Sequence, residues 1–271
     1  MTVPLLQTRD LAVGYGAAPV LSGITLKIAP GRITAIVGAN ACGKSTLLRS
    51  LARLLPPRRG SVTLDGVPVQ RIAPRAFARR LGFLPQSPVA PEGITVLDLV
   101  SRGRHPHHGL FTRWSGADDA AVAHALEATG TADLAERDVT GLSGGQRQRV
   151  WIAMALAQET EILLLDEPTT FLDVSHQIEV LELLAALNRR RGTTVVMVLH
   201  ELNLAARYAD RILGIQDGGV HAVGTPDEVL TETHIREIFG LDSLVMPDPV
   251  SGRPMMVPRG ALASARRRET R

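Results

Sequence analysis

The sequence of 271 residues is short of several residue types, and each shortage excludes a class of protein. Cys42 is the only cysteine, so an internal disulfide is excluded and a reducing compartment is indicated. Aromatic residues make up 3% of the chain and hydrophobic residues 45%, so a sizeable core must be aliphatic. No run of about 18 apolar residues occurs, so we expect no helix that spans a membrane. The N-terminus lacks a basic segment followed by an apolar one, so we expect no signal peptide.

Lysine is almost absent as well. Lys27 and Lys44 are the only lysines among 30 basic residues, and the others are arginines. A chain with arginine at nearly every cationic position keeps Lys44 where a compact ammonium group is needed, because the planar guanidinium is too wide for a site of close-packed backbone N–H groups. The net charge of +3 is close to balance and does not predict a nucleic-acid surface.

Lys44 lies in a glycine-rich segment that fits the phosphate-loop pattern G-x-x-x-x-G-K-[ST]. The segment follows the apolar residues 32–37, predicted to be a buried strand, and precedes a helix predicted over about 44–54. In such a loop, backbone N–H groups and the helix dipole hold phosphates, Lys44 adds a point charge, and Ser45 is placed to bind Mg²⁺. The residues expected to contact a nucleoside triphosphate are Gly38, Ala39, Asn40, Ala41, Cys42, Gly43, Lys44, Ser45 and Thr46.

Two residues of this loop need a separate interpretation. Ala41 stands at a position that glycine often occupies, and a positive φ there would strain the loop by roughly 1 kcal/mol. Cys42 is interpreted as a small loop residue and not as a nucleophile, because no paired base can be assigned to it.

A second apolar segment, 162–165, ends in the acidic pair Asp166 and Glu167. A parallel strand delivers its terminal residues to the ligand crevice, and successive residues leave the strand in different directions. We therefore expect Asp166 to face the Mg²⁺ shell and Glu167 to face the attacking water. Two acids after a strand are often only solvated side chains, but their place downstream of a phosphate loop favours the functional interpretation.

Apolar periodicity predicts the arrangement of the remaining chain. The β-rich stretches are 3–30, 61–84 around the turn Asp65-Gly66, 194–199, and a late hairpin at 217–219. The helical stretches are about 87–150, which includes a helix over 117–129, and 174–191. Near-continuous apolar strands between helices predict an α/β fold whose parallel sheet is covered on both faces.

Residues 142–146, Leu-Ser-Gly-Gly-Gln, decide the class of protein. With the phosphate loop upstream and Leu-Asp-Glu-Pro at 165–168 downstream, nearly the whole chain resembles the ATP-binding-cassette (ABC) ATPases. The resemblance implies a P-loop NTPase core with a mostly parallel sheet, an antiparallel β-subdomain, and a helical subdomain inserted at about 87–150. It implies a single ABC ATPase domain over 1–245 and a C-terminal tail over 246–271.

The resemblance also implies a role for each motif. Tyr15 matches the aromatic that stacks on adenine, and Asp173 matches the D-loop. Ser143, Gly144, Gly145 and Gln146 would contact ATP held by a second copy of the chain, paired head to tail. The implied catalytic residues are Glu167, His200, Lys44 and Gln86, the implied Mg²⁺ ligands are Ser45, Gln86 and Asp166, and the implied cofactors are ATP and Mg²⁺. Each residue alone has a plain structural explanation, so the assignment depends on their joint order.

A narrower resemblance is to the ATPase subunits of iron(III)-siderophore importers, of the ferric-enterobactin type. It rests on the segments 102–107, 110–114, 169–177, 199–210 and 248–252. ATPases of haem and cobalamin importers share much of this pattern and remain alternatives. The resemblance implies permease subunits and, indirectly, a siderophore-binding protein as partners, no nucleic acid, and a peripheral location on the cytoplasmic face of the cell membrane.

His105, His107 and His108 raise a metal hypothesis, but it is not favoured. Pro106 and Gly109 make the segment a loop, and no carboxylate or cysteine stands nearby at ligand spacing. We expect instead that the surface around 87–115, including Arg102 and Arg104, docks a cytoplasmic helix of the permease.

Two other classes of protein are alternatives to a transporter subunit, and the sequence disfavours both. A soluble ABC ATPase of translation or DNA repair usually carries two cassettes or a coiled-coil insertion. This chain has one phosphate loop, no sustained heptads between Gln86 and Leu142, and no basic face interleaved with aromatics. A P-loop GTPase or kinase-like switch is disfavoured by residues 142–146 and by His200.

Overall fold

A computed structural model describes residues 3–109 and 113–261. The strands are β1 (Leu6–Val13), β2 (Leu21–Lys27), β3 (Ile33–Gly38), β4 (Arg59–Leu64), β5 (Val67–Pro68), β6 (Leu81–Leu84), β7 (Ile162–Leu165), β8 (Thr194–Val198), β9 (Arg211–Gln216), β10 (Gly219–Gly224), β11 (Leu241–Pro247) and β12 (Pro254–Ala261). The α-helices are α1 (Lys44–Leu51), α2 (Pro74–Ala78), α3 (Val96–Ser101), α4 (Gly116–Ala128), α5 (Gly144–Ala157), α6 (Val174–Arg191), α7 (Leu202–Tyr208), α8 (Pro226–Val229) and α9 (Glu232–Phe239).

A six-stranded sheet of order β10-β9-β3-β8-β7-β6 forms the centre of the structure. The strands from β9 to β6 pair in parallel, and β10 pairs antiparallel with β9. Every residue of β3, β7 and β8 is buried, because other elements cover both faces. The predicted mostly parallel sheet is confirmed, and the carboxyl ends of these three strands bring three loops to one edge.

A four-stranded sheet of order β2-β1-β4-β5 forms the expected antiparallel β-subdomain. Its aliphatic side chains share one hydrophobic cluster with α1 and with one face of the central sheet. Asp65 and Gly66, with φ of 51° and 79°, form the predicted turn between β4 and β5. This cluster fixes α1, and with it the end of the phosphate loop, against two sheets.

The other face of the central sheet shares a second cluster with the helical region between β6 and β7. The helices α3 and α4 both pack on α5. A capping box of Ser115 and Asp118 begins α4, and Gly130, with φ of 59°, follows its end. The predicted helix over 117–129 is therefore confirmed to within a residue at each end.

A buried arginine ties this helical region to the end of α5. Arg104 donates from Nε to Asp118 Oδ1, and from Nη1 to the Ala157 carbonyl and to Glu159 Oε2. The expectation that Arg104 lies on a docking surface is wrong, because its charge is matched by carboxylates inside the protein. Arg102, two residues earlier, is exposed as expected.

The neighbouring histidines make structural contacts. His107 Nε2 lies 2.9 Å from the Gln158 carbonyl, and the His108 ring stacks on Trp114 with centroids 5.3 Å apart. Within residues 3–109 and 113–261, no group of three His, Cys, Asp or Glu residues is arranged to hold a metal ion.

Two predicted boundaries differ from the structure. The helix expected to reach residue 54 ends at Leu51, because Arg53 adopts a φ of 63° that breaks the helical path. The stretch 61–84, expected to be β-rich, also contains the short helix α2 before β6 joins the central sheet. Pro74 at the first position of α2 gives that helix its start.

The strands β11 and β12 form a hairpin where the sequence analysis set a tail from residue 246. Leu244 pairs with Val257, and Val245 and Met256 pack on the second cluster. Asn203 of α7 donates to the Met256 carbonyl at 3.1 Å and accepts from the Met256 N–H at 2.7 Å. Residues 246–261 are thus attached to α7.

Two segments named in the sequence analysis lie outside the described residues. They are the arginine-rich end at 262–271 and residues 110–112 of the importer-like segment. In the described part of the chain, no helix is long and apolar enough to cross a membrane.

Candidate active site

The phosphate loop joins the carboxyl end of β3 to α1. Gly38 has φ of 154°, and a Cβ there would lie 2.3 Å from the Ile215 carbonyl oxygen. Gly43 has φ of 109°, and a Cβ there would lie 2.5 Å from Leu21 Cδ2. Both positions require glycine for conformation and for space. Ala41 has φ of 61°, so the strain expected for an alanine is present in the loop.

The side chain of Lys44 folds back and binds the start of the phosphate loop. Its side chain is buried, and Nζ donates to the carbonyls of Gly38 at 3.0 Å and Ala39 at 2.9 Å. One of its three N–H donors is left for an anion. Gly43 has no side chain that could cap α1, and the first turn of α1 contains no acidic residue. The N–H groups at the start of α1 are therefore available to bind a phosphate. Burial raises the pKa of the Cys42 thiol, in keeping with a loop residue that is not a nucleophile.

Ser45 and Asp166 meet across the end of the sheet. Ser45 Oγ donates to Asp166 Oδ1 at 2.8 Å, and the Asp166 side chain is fully buried. Asp166 Oδ2 has no hydrogen-bond partner in the described part of the chain, and burial raises the pKa of this carboxyl. A hydroxyl beside a buried carboxylate with an unused oxygen is a donor set that fits Mg²⁺, which takes oxygen ligands.

Glu167 lies among three polar partners. Its Oε1 is 2.6 Å from His200 Nε2, and its Oε2 accepts from Gln86 Nε2 at 2.6 Å and from Thr170 Oγ1 at 3.1 Å. The Glu167 side chain is 9% exposed. Its φ of 55° is costly for a glutamate, and such strain is concentrated at functional sites.

The segment 142–146 begins α5 at the surface. Ser143 Oγ accepts from the Gln146 N–H at 3.3 Å, and Gln146 Oε1 accepts from the Ser143 N–H at 3.1 Å, which is a capping box. Ser143 and Gly144 are exposed, and Gly145 lies over Leu172. Among the described residues, no hydrogen bond connects this segment to the phosphate loop of its own chain.

Asp173 caps α6 on the same surface. Its Oδ1 accepts from the His176 N–H, the Ser175 hydroxyl and His176 Nδ1, and these bonds hold the pKa of Asp173 at about 2. The flanking Phe171 and Val174 are both 76% exposed, so an acidic cap is surrounded by apolar side chains at the surface.

Tyr15, in the segment between β1 and β2, is 58% exposed. Its hydroxyl accepts from Arg49 Nη1 of α1 at 3.0 Å, which ties the ring to the helix that follows the loop. The hydroxyl is held while the aromatic ring remains open to a stacking partner.

The structure thus brings together most of the residues singled out in the sequence and separates the others. One cluster contains Lys44, Ser45, Gln86, Asp166, Glu167 and His200. Residues 143–146 and Asp173 lie on a separate exposed surface. Thr170, a partner of Glu167, was missed in the sequence, although its spacing of three residues from an acid in a turn is a usable signal.

Comparison with known proteins shows the family to which the chain belongs. Residues 21–170 match the family model described as "ABC transporter". The chain is 51% identical to the ferric enterobactin transport ATP-binding protein FepC of Escherichia coli strain K12, over 97% of each chain. It is also 51% identical to the petrobactin import ATP-binding protein FpuD of Bacillus anthracis, over 94% of this chain and 93% of that protein. A solved structure of a metal-chelate type ABC transporter in an inward-facing conformation superposes with a TM-score of 0.80, at 31% identity, covering 95% of this chain and 98% of that one. The chain therefore belongs to the ABC transporter family and is an ATP-hydrolysing, ATP-binding subunit of that family.

Proposed function

We propose that ATP hydrolysis by this chain energises import of an iron(III)-siderophore through a membrane permease. The observation that carries the proposal is the buried Glu167 carboxylate, held between Gln86 and His200 beside Asp166. Glu167 therefore supplies a base at the same edge of the central sheet as the phosphate loop.

Glu167 is proposed to act as the general base. Its carboxylate accepts a proton from water as the water oxygen forms a bond to the γ-phosphorus, and the bond from that phosphorus to the bridging oxygen of ADP breaks. Lys44 donates to the phosphate oxygens, and His200 donates to the transferred group, so both stabilise the developing negative charge. Gln86 orients the water, since its amide already lies 2.6 Å from Glu167 Oε2.

Ser45 and Asp166 are proposed to hold Mg²⁺ with Gln86 as a further ligand. The unused Asp166 Oδ2 supports this assignment. When bound, the ion would neutralise phosphate charge. Gln86 donates to Glu167 through Nε2 in this structure, so its amide oxygen, the atom that would bind Mg²⁺, takes no part in that bond.

The site is proposed to be completed by a second copy of the chain. Residues 143–146 and Asp173 lie at the surface, and among the described residues no hydrogen bond joins them to the phosphate loop of their own chain, which supports a contact with nucleotide bound by another copy. The exposed apolar Phe171 and Val174 suit a buried contact between copies. Solved structures of a related cassette are described as dimeric, one with ADP and phosphate bound.

The permease is proposed to dock on the helical region at 87–115, with Arg102 among the exposed residues. As part of the same proposal, the chain is a peripheral subunit at the cytoplasmic face of the cell membrane. A siderophore-binding protein would act on the far side of the permease and would not touch this chain. The siderophore assignment rests on relatives whose names specify enterobactin and petrobactin.

The test replaces Glu167 with Gln in the full chain. ATP should bind with unchanged affinity, measured by equilibrium dialysis with Mg²⁺, while hydrolysis falls by about 10²–10⁴-fold because the base is lost. Normal hydrolysis by E167Q would refute the catalytic assignment.

Substrate class is tested by reconstituting the chain with an iron(III)-siderophore permease of the same organism. ATP-dependent uptake of ⁵⁵Fe-labelled enterobactin, blocked by E167Q, is the expected result. Uptake of haem or cobalamin in place of the iron complex would overturn the siderophore assignment and leave the ATPase assignment standing.

A further inference from the structure

The carboxylate of Glu167 has one partner that belongs to its own loop. Thr170 Oγ1 lies 3.1 Å from Glu167 Oε2, and the Thr170 N–H donates to the Glu167 carbonyl at 3.2 Å. The second bond closes a turn over 167–170, and the φ of 55° at Glu167 directs the chain into that turn. The hydroxyl of Thr170 is the donor, because an ionised carboxylate can only accept.

The other two partners come from distant parts of the chain. Gln86 follows β6 and His200 follows β8, so each is held by a loop other than the one that carries Glu167. Both are also residues for which the proposed function requires contact with nucleotide, water or Mg²⁺. Thr170 has no such second task and is bound to Glu167 through the backbone of the four-residue turn over 167–170.

We propose that Thr170 is a positioning residue for hydrolysis, an inference that rests on the proposed function of Glu167. Its hydroxyl holds Oε2 of the carboxylate while Gln86 and His200 exchange Glu167 for the nucleotide, and the opposite oxygen, Oε1, then receives the proton from water. A hydroxyl both donates and accepts, so Thr170 stabilises the carboxylate before proton transfer and can still bond the protonated acid afterwards.

The chain provides a matched control beside the residue. Thr169 is a threonine of the same loop and the same intermediate burial. Its hydroxyl makes no hydrogen bond to Glu167, whose oxygens are engaged by His200, Gln86 and Thr170. T169A therefore removes the same atoms from the same loop without touching the carboxylate.

The experiment measures kcat, KM and the dissociation constant for Mg-ATP in full-length T170A, T170S, T170V and T169A. For T170A and T170V we expect kcat to fall by about tenfold or more, in line with the loss of a hydrogen bond to an ionised group. KM and the dissociation constant should stay within about twofold, because the hydroxyl does not contact nucleotide. T170S should recover kcat to within about threefold of wild type, and T169A should match wild type.

Each departure from this pattern overturns the inference. An unchanged kcat in T170A or T170V, a T170S enzyme as slow as T170A, or a T169A enzyme as slow as T170A would each show that the hydroxyl of Thr170 is not what matters. T170V keeps the branched shape, so a folding defect confined to T170A does not prevent the test. If E167Q is inactive and T170V is fully active, the role of Thr170 fails alone; if E167Q is active, the proposed function fails with it.

Discussion

The guanidinium of Arg104 and the carboxylate of Asp118 form an ion pair at 3.0 Å, with only 7% and 6% of the two side chains exposed. Asp118 also accepts from the Ser115 N–H and hydroxyl at the start of α4, and the Ser115 hydroxyl is the largest cause of the lowered pKa of Asp118. The same arginine reaches Glu159 just beyond α5. One side chain therefore fixes the position of the helical region against the helix that begins with residues 143–146.

Replacing Arg104 with Glu should unfold or strongly destabilise the protein. It removes the cation and buries a second acid beside Asp118, and breaking a buried pair costs about 3–5 kcal/mol. R102E is the matched control, because Arg102 is exposed and its reversal should change the free energy of unfolding by less than about 0.5 kcal/mol. Urea unfolding followed by circular dichroism measures both. Equal stability of the two variants would contradict the buried role of Arg104.

Replacing Ala41 with Gly should leave the protein without nucleotide about 1 kcal/mol more stable than A39G, because glycine relieves the strain at residue 41 while both variants share the unfolded-state entropy cost of glycine. The φ of 61° at Ala41 lies in the left-handed region, where a Cβ is unfavourable. A39G is the control in the same loop, because Ala39 has no positive φ and glycine there should only add unfolded-state entropy, at a cost of up to about 1 kcal/mol. A41G should therefore unfold at a higher temperature than A39G. Equal unfolding temperatures for the two variants would show that the conformation at residue 41 is not strained.

Replacing Tyr15 with Ala should weaken ATP binding and leave binding of inorganic triphosphate unchanged. The exposed ring offers a face for a base, and base stacking on an aromatic is worth about 1–3 kcal/mol, so affinity for ATP should fall by about 5- to 150-fold. Y15F keeps the ring and loses only the bond from Arg49, so it should bind ATP nearly as wild type does. Isothermal titration with both ligands separates the two effects. A parallel loss for triphosphate would assign Tyr15 to the phosphate loop and not to the base.

Local signals in the sequence were enough to predict most of the fold. The helix predicted over 174–191 is α6 with the same ends, because Asp173 caps its start and Gly192 ends it in a left-handed conformation. Apolar runs in the sequence predict the buried strands. The polar residues at the end of the run 162–165 predict the two acids of the site. These features depend on residues that are adjacent in the chain.

The two larger errors, at Arg104 and in the C-terminal hairpin, came from contacts between distant residues. The burial of Arg104 is decided by Asp118 and Glu159, which are 14 and 55 residues away in the chain, and an arginine in a loop is ordinarily exposed. The attachment of β12 is decided by Asn203, 53 residues from Met256. No pattern within either segment reports such partners, so sequence reasoning assigned the first to a docking surface and the second to a tail.

Replacing Asn203 with Ala should loosen the C-terminal hairpin while leaving the central sheet intact. The Asn203 amide makes two bonds to the backbone of Met256, and alanine would leave both Met256 groups without a partner on α7. Hydrogen–deuterium exchange read by mass spectrometry should therefore speed up in peptides covering 241–261. Peptides covering β3 and β8 should exchange as in wild type, because their hydrogen bonds lie within the buried sheet. N188A is the control, because the Asn188 amide donates to the Gly31 and Thr193 carbonyls in another part of the fold. Loss of those two bonds should not change exchange in 241–261. Unchanged exchange in the hairpin of N203A would show that the packing of Val245 and Met256 alone attaches it.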